Sequence, residues 1–263
     1  MNRTRILVVD DEPSIIKLLR ANLETHGYRV LTAINGAEAL RIFEMEPPSL
    51  VILDIMMPVM DGFEVCRRLR EWSQVPIIMI SVIDNEIDKV KCLDLGADDY
   101  ITKPFGTGEL LGRVRAVLRR TEMLASVPVH PSFASGNLEI NFTQRRITVG
   151  DKEVKLTPTE YALLQLFVLN AGKVLTHAYL LNKVWGPEYS DERQYLHVFL
   201  RRLRTKLESD PANPIYIVTI PGIGYQFKTE PQHQKLVTGE PAGKCEQFRL
   251  APYSYSANRS ENI

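Results

Sequence analysis

Through residue 120 short, uninterrupted apolar runs alternate with longer amphipathic stretches: RILVVDD, SIIKLLRANLETHG, YRVLTA, GAEALRIFEME, SLVILDI, FEVCRRLREW, PIIMISV, EIDKVKCLDLG, DYITK and ELLGRVRAVLRR. A run such as LVILDI shows no polar alternation, so it must be covered on both faces. With a helix-period stretch after each run, the pattern predicts a five-fold βα repeat, an α/β fold whose parallel sheet is sandwiched by helices. This is the strongest constraint in the chain, because few folds bury every strand twice.

The remainder follows a different rhythm. The 263 residues suit two modest domains better than one large catalytic body. Residues 121 to 134, TEMLASVPVHPSFA, lose the periodicity and hold two prolines, as expected of a linker between a first domain at 1 to 120 and a second at 135 to 230. Short strands are expected in NLEINFTQRRITVGDKEVKLT, then helices over 158 to 170, 176 to 184 and 191 to 207, and two β runs around a Gly-containing turn in YIVTIPGIGYQF. Thr157, Pro158 and Glu160 form a helix start, with Thr157 as N-cap. Residues 231 to 263, rich in Ser, Pro, Gly, Asn and Gln, are expected to be a disordered tail.

Net charge is zero, but residues 1 to 120 carry 16 Lys/Arg against 18 Asp/Glu, and residues 135 to 230 carry 12 against 10. The mild basic excess of the second domain is compatible with a nucleic-acid partner, which needs only a local basic face. Cys66, Cys92 and Cys245 are odd in number, widely spaced and without histidines at metal-ligand spacing, so they read as reduced thiols. No stretch approaches a membrane span or signal-peptide layout, and a cytoplasmic location is expected.

Ligands of an open parallel sheet collect beyond the carboxyl ends of its strands. Asp10 and Asp11 end the first strand, Asp54 the third, Ser81 the fourth and Lys103 the fifth. Three converging carboxylates repel one another unless a cation lies among them, and such oxygen donors suit Mg²⁺. A carboxylate so placed can attack a phosphoryl group, and Asp54 is the expected nucleophile. Lys103 would balance the phosphoryl oxygens and Ser81 would hydrogen-bond one of them. Pro104 admits a cis bond that would aim the lysine inward. Taken singly, each residue has an ordinary reading: a capping aspartate, a solvated lysine, a turn serine. Their order over four strand ends carries the inference.

The segments VVDDE, LDIMMPVMDG, ISV and GADDYITKPF resemble the receiver domain of bacterial two-component response regulators across residues 1 to 120. The resemblance implies a flavodoxin-like doubly wound sheet and a phosphoryl group received at Asp54 from a sensor histidine kinase. It further implies Mg²⁺ held by Asp11, Asp54 and the Met56 carbonyl with help from Asp10, and a signal passed on by Ser81, Tyr100 and Lys103. Val82 is bulkier than the alanine usual there. Lys89, Asp98, Asp99, Glu109 and Arg113 belong to a charge set that is ordinarily a solvated face. In the subfamily with winged-helix outputs the same face pairs receivers, with Lys89 opposite Glu109 and Asp99 opposite Arg113. Gly106, Gly108 and Gly112 should loosen the fifth helix.

In DERQYLHVFLRRLRTKLE, Tyr195, Val198, Phe199 and Leu203 fall near one helical stripe, while Arg193, His197, Arg201, Arg202 and Arg204 lie largely elsewhere. Such a helix fits the DNA major groove, where arginine bonds guanine or holds phosphate. The ordinary alternative is an amphipathic surface helix. LTPTEYALLQLFVLNAGKVLTHAYLLNKVWGPEY before it and IPGIGYQF after it resemble the winged-helix domain of the same regulators, the OmpR/PhoB family, over residues 136 to 228. That implies an α+β domain with a four-stranded N-terminal sheet, three helices, a wing at Gly222 and Gly224, and a loop at 185 to 190 that meets RNA polymerase. Trp185 reads equally well as a core anchor.

Within the family, NAGKVLTHAYLLNKVWGPEY, the Tyr195-Leu196 pair and LESDPANP resemble most the branch that controls the Kdp potassium-uptake operon. His197 replaces that branch's usual arginine, and Pro221 and Gln226 stand where wing arginines are common, which weakens minor-groove attraction. The expectation is a transcriptional regulator, not an enzyme, that dimerises on phosphorylation and binds promoter DNA. Phosphatases that form an aspartyl phosphate carry a second aspartate two residues after the nucleophile, and that position here is Met56. The alternative is a regulator that binds DNA without phosphorylation, its receiver serving as a dimerisation scaffold.

Overall fold

Strands and helices alternate through β1 (Arg5–Val9), α1 (Pro13–Thr25), β2 (Arg29–Ala33), α2 (Gly36–Met45), β3 (Leu50–Asp54), α3 (Gly62–Trp72), β4 (Ile77–Ser81), α4 (Glu86–Asp94), β5 (Asp99–Thr102) and α5 (Thr107–Met123). The structure, a computed structural model, describes residues 4–83, 85–123 and 132–229. The five strands form one parallel sheet in the order β2-β1-β3-β4-β5. Alternate side chains feed two cores, as strand geometry requires: Leu7, Val9, Val51, Leu53 and Met79 on one face, Ile6, Val8, Ile52, Ile78 and Ile80 on the other. The order reverses beside β1, so the residues leaving β1 and β3 become neighbours at the crevice where such sheets bind ligands.

Local signals start the helices. Asn35, Asp61 and Asn85 each accept a hydrogen bond from the backbone N–H three residues on, at 2.9, 2.8 and 2.7 Å. Gly62 is required by contact: a Cβ there would lie 2.2 Å from the Asp54 carbonyl oxygen. Helix α3 thereby begins hard against the end of β3.

The second half opens with an antiparallel sheet, β6 (Ser132–Ser135), β7 (Leu138–Asn141), β8 (Arg146–Val149) and β9 (Lys152–Glu153), paired in that order. Then come α6 (Pro158–Leu169), β10 (Val174–Thr176), α7 (His177–Val184), a 3-10 turn at Pro187–Tyr189, α8 (Arg193–Leu207), β11 (Ile217–Ile220) and β12 (Gly224–Phe227). The last three strands pair as β10-β12-β11. Thr157 and Glu160 form the full reciprocal capping box at the start of α6. The β11–β12 turn places Pro221 second and Gly222, at φ +75°, third, and closes with Ile223 N–H on the Ile220 carbonyl at 3.1 Å.

Part of the expected linker, 124–131, and the tail expected from residue 231 lie outside the described residues, as does Cys245. Cys66 and Cys92 are buried free thiols, and burial pushes the Cys92 thiol up to about 12. No helix among the described residues is long and apolar enough to cross a membrane.

Candidate functional site

At the sheet crevice Lys103 reaches between two nearly inaccessible carboxylates. Its Nζ lies 2.8 Å from Asp10 Oδ2 and 2.6 Å from Asp54 Oδ1. The other oxygens are held by backbone: Glu12 N–H donates to Asp10 Oδ1 at 2.9 Å, and Met56 N–H donates to Asp54 Oδ2 at 2.7 Å. Burial raises the Asp54 pKa above the ordinary carboxylate value, Lys103 opposes this, and Asp10 adds to it. Burial pulls the Lys103 ammonium down, but its bonds to Asp10 and Asp54 more than reverse this, leaving its pKa raised. The Lys103–Pro104 peptide is cis.

Asp11 is exposed beside this pair, and no three Asp, Glu, His or Cys side chains among the described residues stand at metal-ligand spacing. The donors that do converge are hard carboxylate oxygens of Asp10 and Asp54, with the exposed Asp11 next to Asp10 in the chain. That set fits a cation such as Mg²⁺, which keeps several of its waters and takes only one or two carboxylates, rather than an all-protein cage. Met56 has an exposed side chain, and its backbone borders Asp54.

Ser81 is buried at the end of β4, and its Oγ accepts from Ile83 N–H at 3.0 Å. The buried Tyr100 donates its hydroxyl to the Ile83 carbonyl. Ser81 and Tyr100 are thus joined through one residue of the loop leaving β4. Val82, between Ser81 and Ile83, is exposed.

The charged face of α4, β5 and α5 is engaged within the chain. Lys89 pairs with Glu192 at 2.8 Å, and Arg113 with Asp99 at 2.9 Å and Glu109 at 3.1 Å. Asp98 is buried, accepting from Arg70 and Ile77 N–H at 3.1 Å each and from Thr159 Oγ1 at 2.7 Å. Asp99 also accepts from the hydroxyls of Tyr195, at 2.8 Å, and Tyr189. Burial first, and the Asp99 charge second, push both phenols up.

On α8, Arg193, His197 and Arg201 are exposed at four-residue spacing, one continuous stripe of a 3.6-residue helix. Arg201 is held by Asp94 of α4. Arg202 points away from the stripe: it pairs with buried Glu160 at 2.8 Å and donates to the Leu93 carbonyl at 2.9 Å. Arg204 ties α8 to β11 through the Ile217 carbonyl at 2.7 Å and Thr219 Oγ1 at 2.9 Å. His197 lies edge-on to His177 at 6.2 Å, and burial, His177 and Arg193 hold its pKa below the usual imidazole value. Gly222 makes the turn of the hairpin, whereas Gly224 is needed because a Cβ would lie 2.0 Å from the Leu175 carbonyl oxygen. Trp185 is a wholly buried core residue.

Sequence reading missed the polar work of Tyr189, Tyr195, Glu192 and Asp94. The available signal was tyrosine, rather than phenylalanine, in the packing stripe of α8, since a buried phenol normally has a hydrogen-bond partner.

The response regulator receiver domain model matches residues 6–115, and the transcriptional regulatory protein C-terminal model matches residues 151–227. A transcriptional regulatory protein KdpE of Mycobacterium tuberculosis is 44% identical over 225 residues, covering 86% of this chain and 99% of that protein. A probable transcriptional regulator ycf27 of Porphyra purpurea is also 44% identical, over 239 residues, covering 89% of this chain and 98% of that one. A solved RitR mutant shares the fold at a TM-score of 0.70 and 27% identity, covering 87% of this chain and all of that one.

Proposed function

Because this chain belongs to the two-component response regulators with a winged-helix output, the OmpR/PhoB family, we propose that it is a transcription factor controlled by phosphorylation of Asp54. The observation that carries the reading is the buried Asp54 carboxylate bridged to Asp10 by Lys103. An Asp54 oxygen forms a bond to phosphorus as the phosphorus–nitrogen bond of a phosphohistidine on a sensor kinase breaks, its electron pair staying on the imidazole. Lys103 offers a point charge to the transferred oxygens and Ser81 a hydroxyl. Mg²⁺, held by Asp10, Asp11, Asp54 and the Met56 carbonyl, would offset the charge gathered there.

In this reading residues 1 to 120 are the receiver, 121 to 134 the linker and 135 to 230 the DNA-binding domain. The receivers pair through Lys89, Asp99, Glu109 and Arg113, while Asp98, turned inward onto Arg70 and Ile77 N–H, does not reach the pairing face; pairing places two winged helices on repeated half-sites of promoter DNA where RNA polymerase is engaged. Arg193, His197 and Arg201 face the duplex, with Arg204 fixing the pose of α8 and Gly222 and Gly224 shaping the wing, whereas Arg202, turned from the stripe onto Glu160 of α6, does not contact the duplex. Potassium-transport genes are the targets favoured by the KdpE likeness. The chain works in the cytoplasm, where kinase domains and DNA are both within reach.

Incubation with a small phosphodonor and Mg²⁺, followed by intact-mass measurement, tests the chemistry. The wild type is expected to gain the mass of one phosphoryl group, lost on mild alkaline hydrolysis, and Asp54→Asn to gain none. Equal labelling of both proteins would refute the assignment of Asp54.

A further inference from the structure

Two imidazoles meet on the accessible side of α8. His197, exposed midway between Arg193 and Arg201, lies edge-on to His177, the first residue of α7, with ring centroids 6.2 Å apart and planes inclined at 73°. Tyr225 of β12 backs His177 at 5.3 Å. The charged groups around the pair are mostly cationic: Arg193 and Arg201 stand one turn away on α8, and Arg204 lies over the Tyr225 ring at 5.7 Å. Two carboxylates reach this side, Asp94 on Arg201 and Glu208 behind Arg204, and the second is already held by the N–H groups of Tyr216 and Ile217. Among the described residues neither imidazole pairs with a carboxylate. Beside His197 opens a cleft of about 370 Å³ whose polar walls are His197, Arg201, Arg204 and Tyr225, with no acidic residue lining it. Such a cleft suits a phosphate.

We propose that His177 and His197 form a proton-dependent phosphate clamp: a backbone phosphate of bound DNA is taken up between the two rings, and protons are taken up with it. The inference rests on the DNA-facing role of α8 proposed above and deepens it. A neutral imidazole offers one N–H and no charge, whereas the protonated ring offers two N–H donors and a positive charge. At the observed separation one phosphate oxygen can accept from a nitrogen of each ring at about 2.8 Å, the usual length of a charge-assisted bond. Without DNA, burial, His177 and Arg193 hold the His197 pKa below the usual imidazole value, so the ring is neutral at pH 7. The repulsion from His177 and Arg193 is what an anion between the rings relieves. A phosphate therefore raises the His197 pKa in the complex above its value in the free protein. The sign follows by linkage: affinity rises as pH falls through the pKa of the complex and levels off below that of the free protein. An arginine in place of His197 would keep its charge at every physiological pH. Histidine makes the contact conditional on acidity.

The test compares the full chain with His177→Gln/His197→Gln, His197→Arg and Arg193→Ala, all without any phosphoryl mimic. Affinity for a mixed-sequence duplex is measured from about pH 7.5 to about pH 5.5, the range over which imidazole changes charge. Salt is varied at each end of the range, and circular dichroism at both ends confirms that every variant is folded. The wild type is expected to bind roughly tenfold tighter at the acid end, with a salt slope steeper by about 0.9 for each ring that becomes charged. The double glutamine variant should change less than about twofold over the same range. His197→Arg should bind at the neutral end about as tightly as the wild type does at the acid end, and with a weaker pH dependence. Equal pH dependence and equal salt slopes in the wild type and the double variant would overturn the clamp, and α8 would stand as a DNA face if Arg193→Ala still weakened binding. Wild-type affinity at every pH in both Arg193→Ala and the double variant would defeat the DNA-facing reading of α8, and the clamp with it.

Discussion

Lys103→Met is expected to lower the stability of the unliganded fold by about 3–5 kcal/mol at neutral pH, the usual cost of removing one member of a buried ion pair. Its ammonium lies within 2.8 Å of both Asp10 and Asp54, whose side chains are 1% and 4% exposed. Methionine fills the volume but leaves two carboxylates facing each other in a desolvated crevice. The pH dependence has a definite sign. Burial already raises the Asp54 pKa in the folded state, and loss of Lys103 raises it further. The folded variant therefore binds a proton more readily than its unfolded chain, and the deficit is greatest where Asp54 is ionised and shrinks as pH falls through its elevated pKa. Denaturant titrations of wild type and variant across the acid range read this directly. A deficit independent of pH would mean that the loss comes from packing rather than from charge.

Trp185→Ala is expected to cost about 3–5 kcal/mol as well, through a different cause: a large cavity in the second core. Trp185 caps the end of α7, lies 5.2 Å from the Phe199 ring and 6.3 Å from the Tyr195 ring, and has no exposed surface. Its indole N–H makes no hydrogen bond among the described residues. Trp185→Phe therefore gives up volume without giving up a bond, and its cost should be less than half that of alanine. Since Trp185 also backs the helix that carries Tyr195, the alanine variant should lose DNA affinity along with stability. Midpoints from urea unfolding followed by circular dichroism measure both variants, and equal losses for Ala and Phe would show that the site collapses rather than leaving a void.

What could be read from the sequence divides along a physical line. The βα repeat, the capping box at Thr157 and Glu160, the wing turn at Gly222 and the strand-end placement of Asp10, Asp54, Ser81 and Lys103 are all set by local pattern. Each requires only the period of a run or the identity of neighbouring residues. Contacts between distant segments leave no such trace. Helical period identified a polar side of α8, but it could not tell that Arg202 meets Glu160 on α6 while Arg193, His197 and Arg201 stay on the accessible stripe.

The same limit hid Glu208. It reads as an ordinary charged residue after a helix, yet its carboxylate accepts from the N–H groups of Ile215, Tyr216 and Ile217 at 2.9–3.0 Å and so anchors the start of β11. Asp99 was legible as a member of a charged face, but its tyrosine partners lie 90 and 96 residues away along the chain. No periodicity connects them.

The central claim, that Asp54 controls DNA binding, is tested most directly by duplex affinity of wild type and Asp54→Ala with and without beryllofluoride, at one salt and one Mg²⁺ concentration. The account predicts that treatment tightens binding by the wild type and drives its association, while the variant responds in neither way. Identical affinities in all four samples would contradict it and leave a regulator that binds DNA without regard to its acidic crevice.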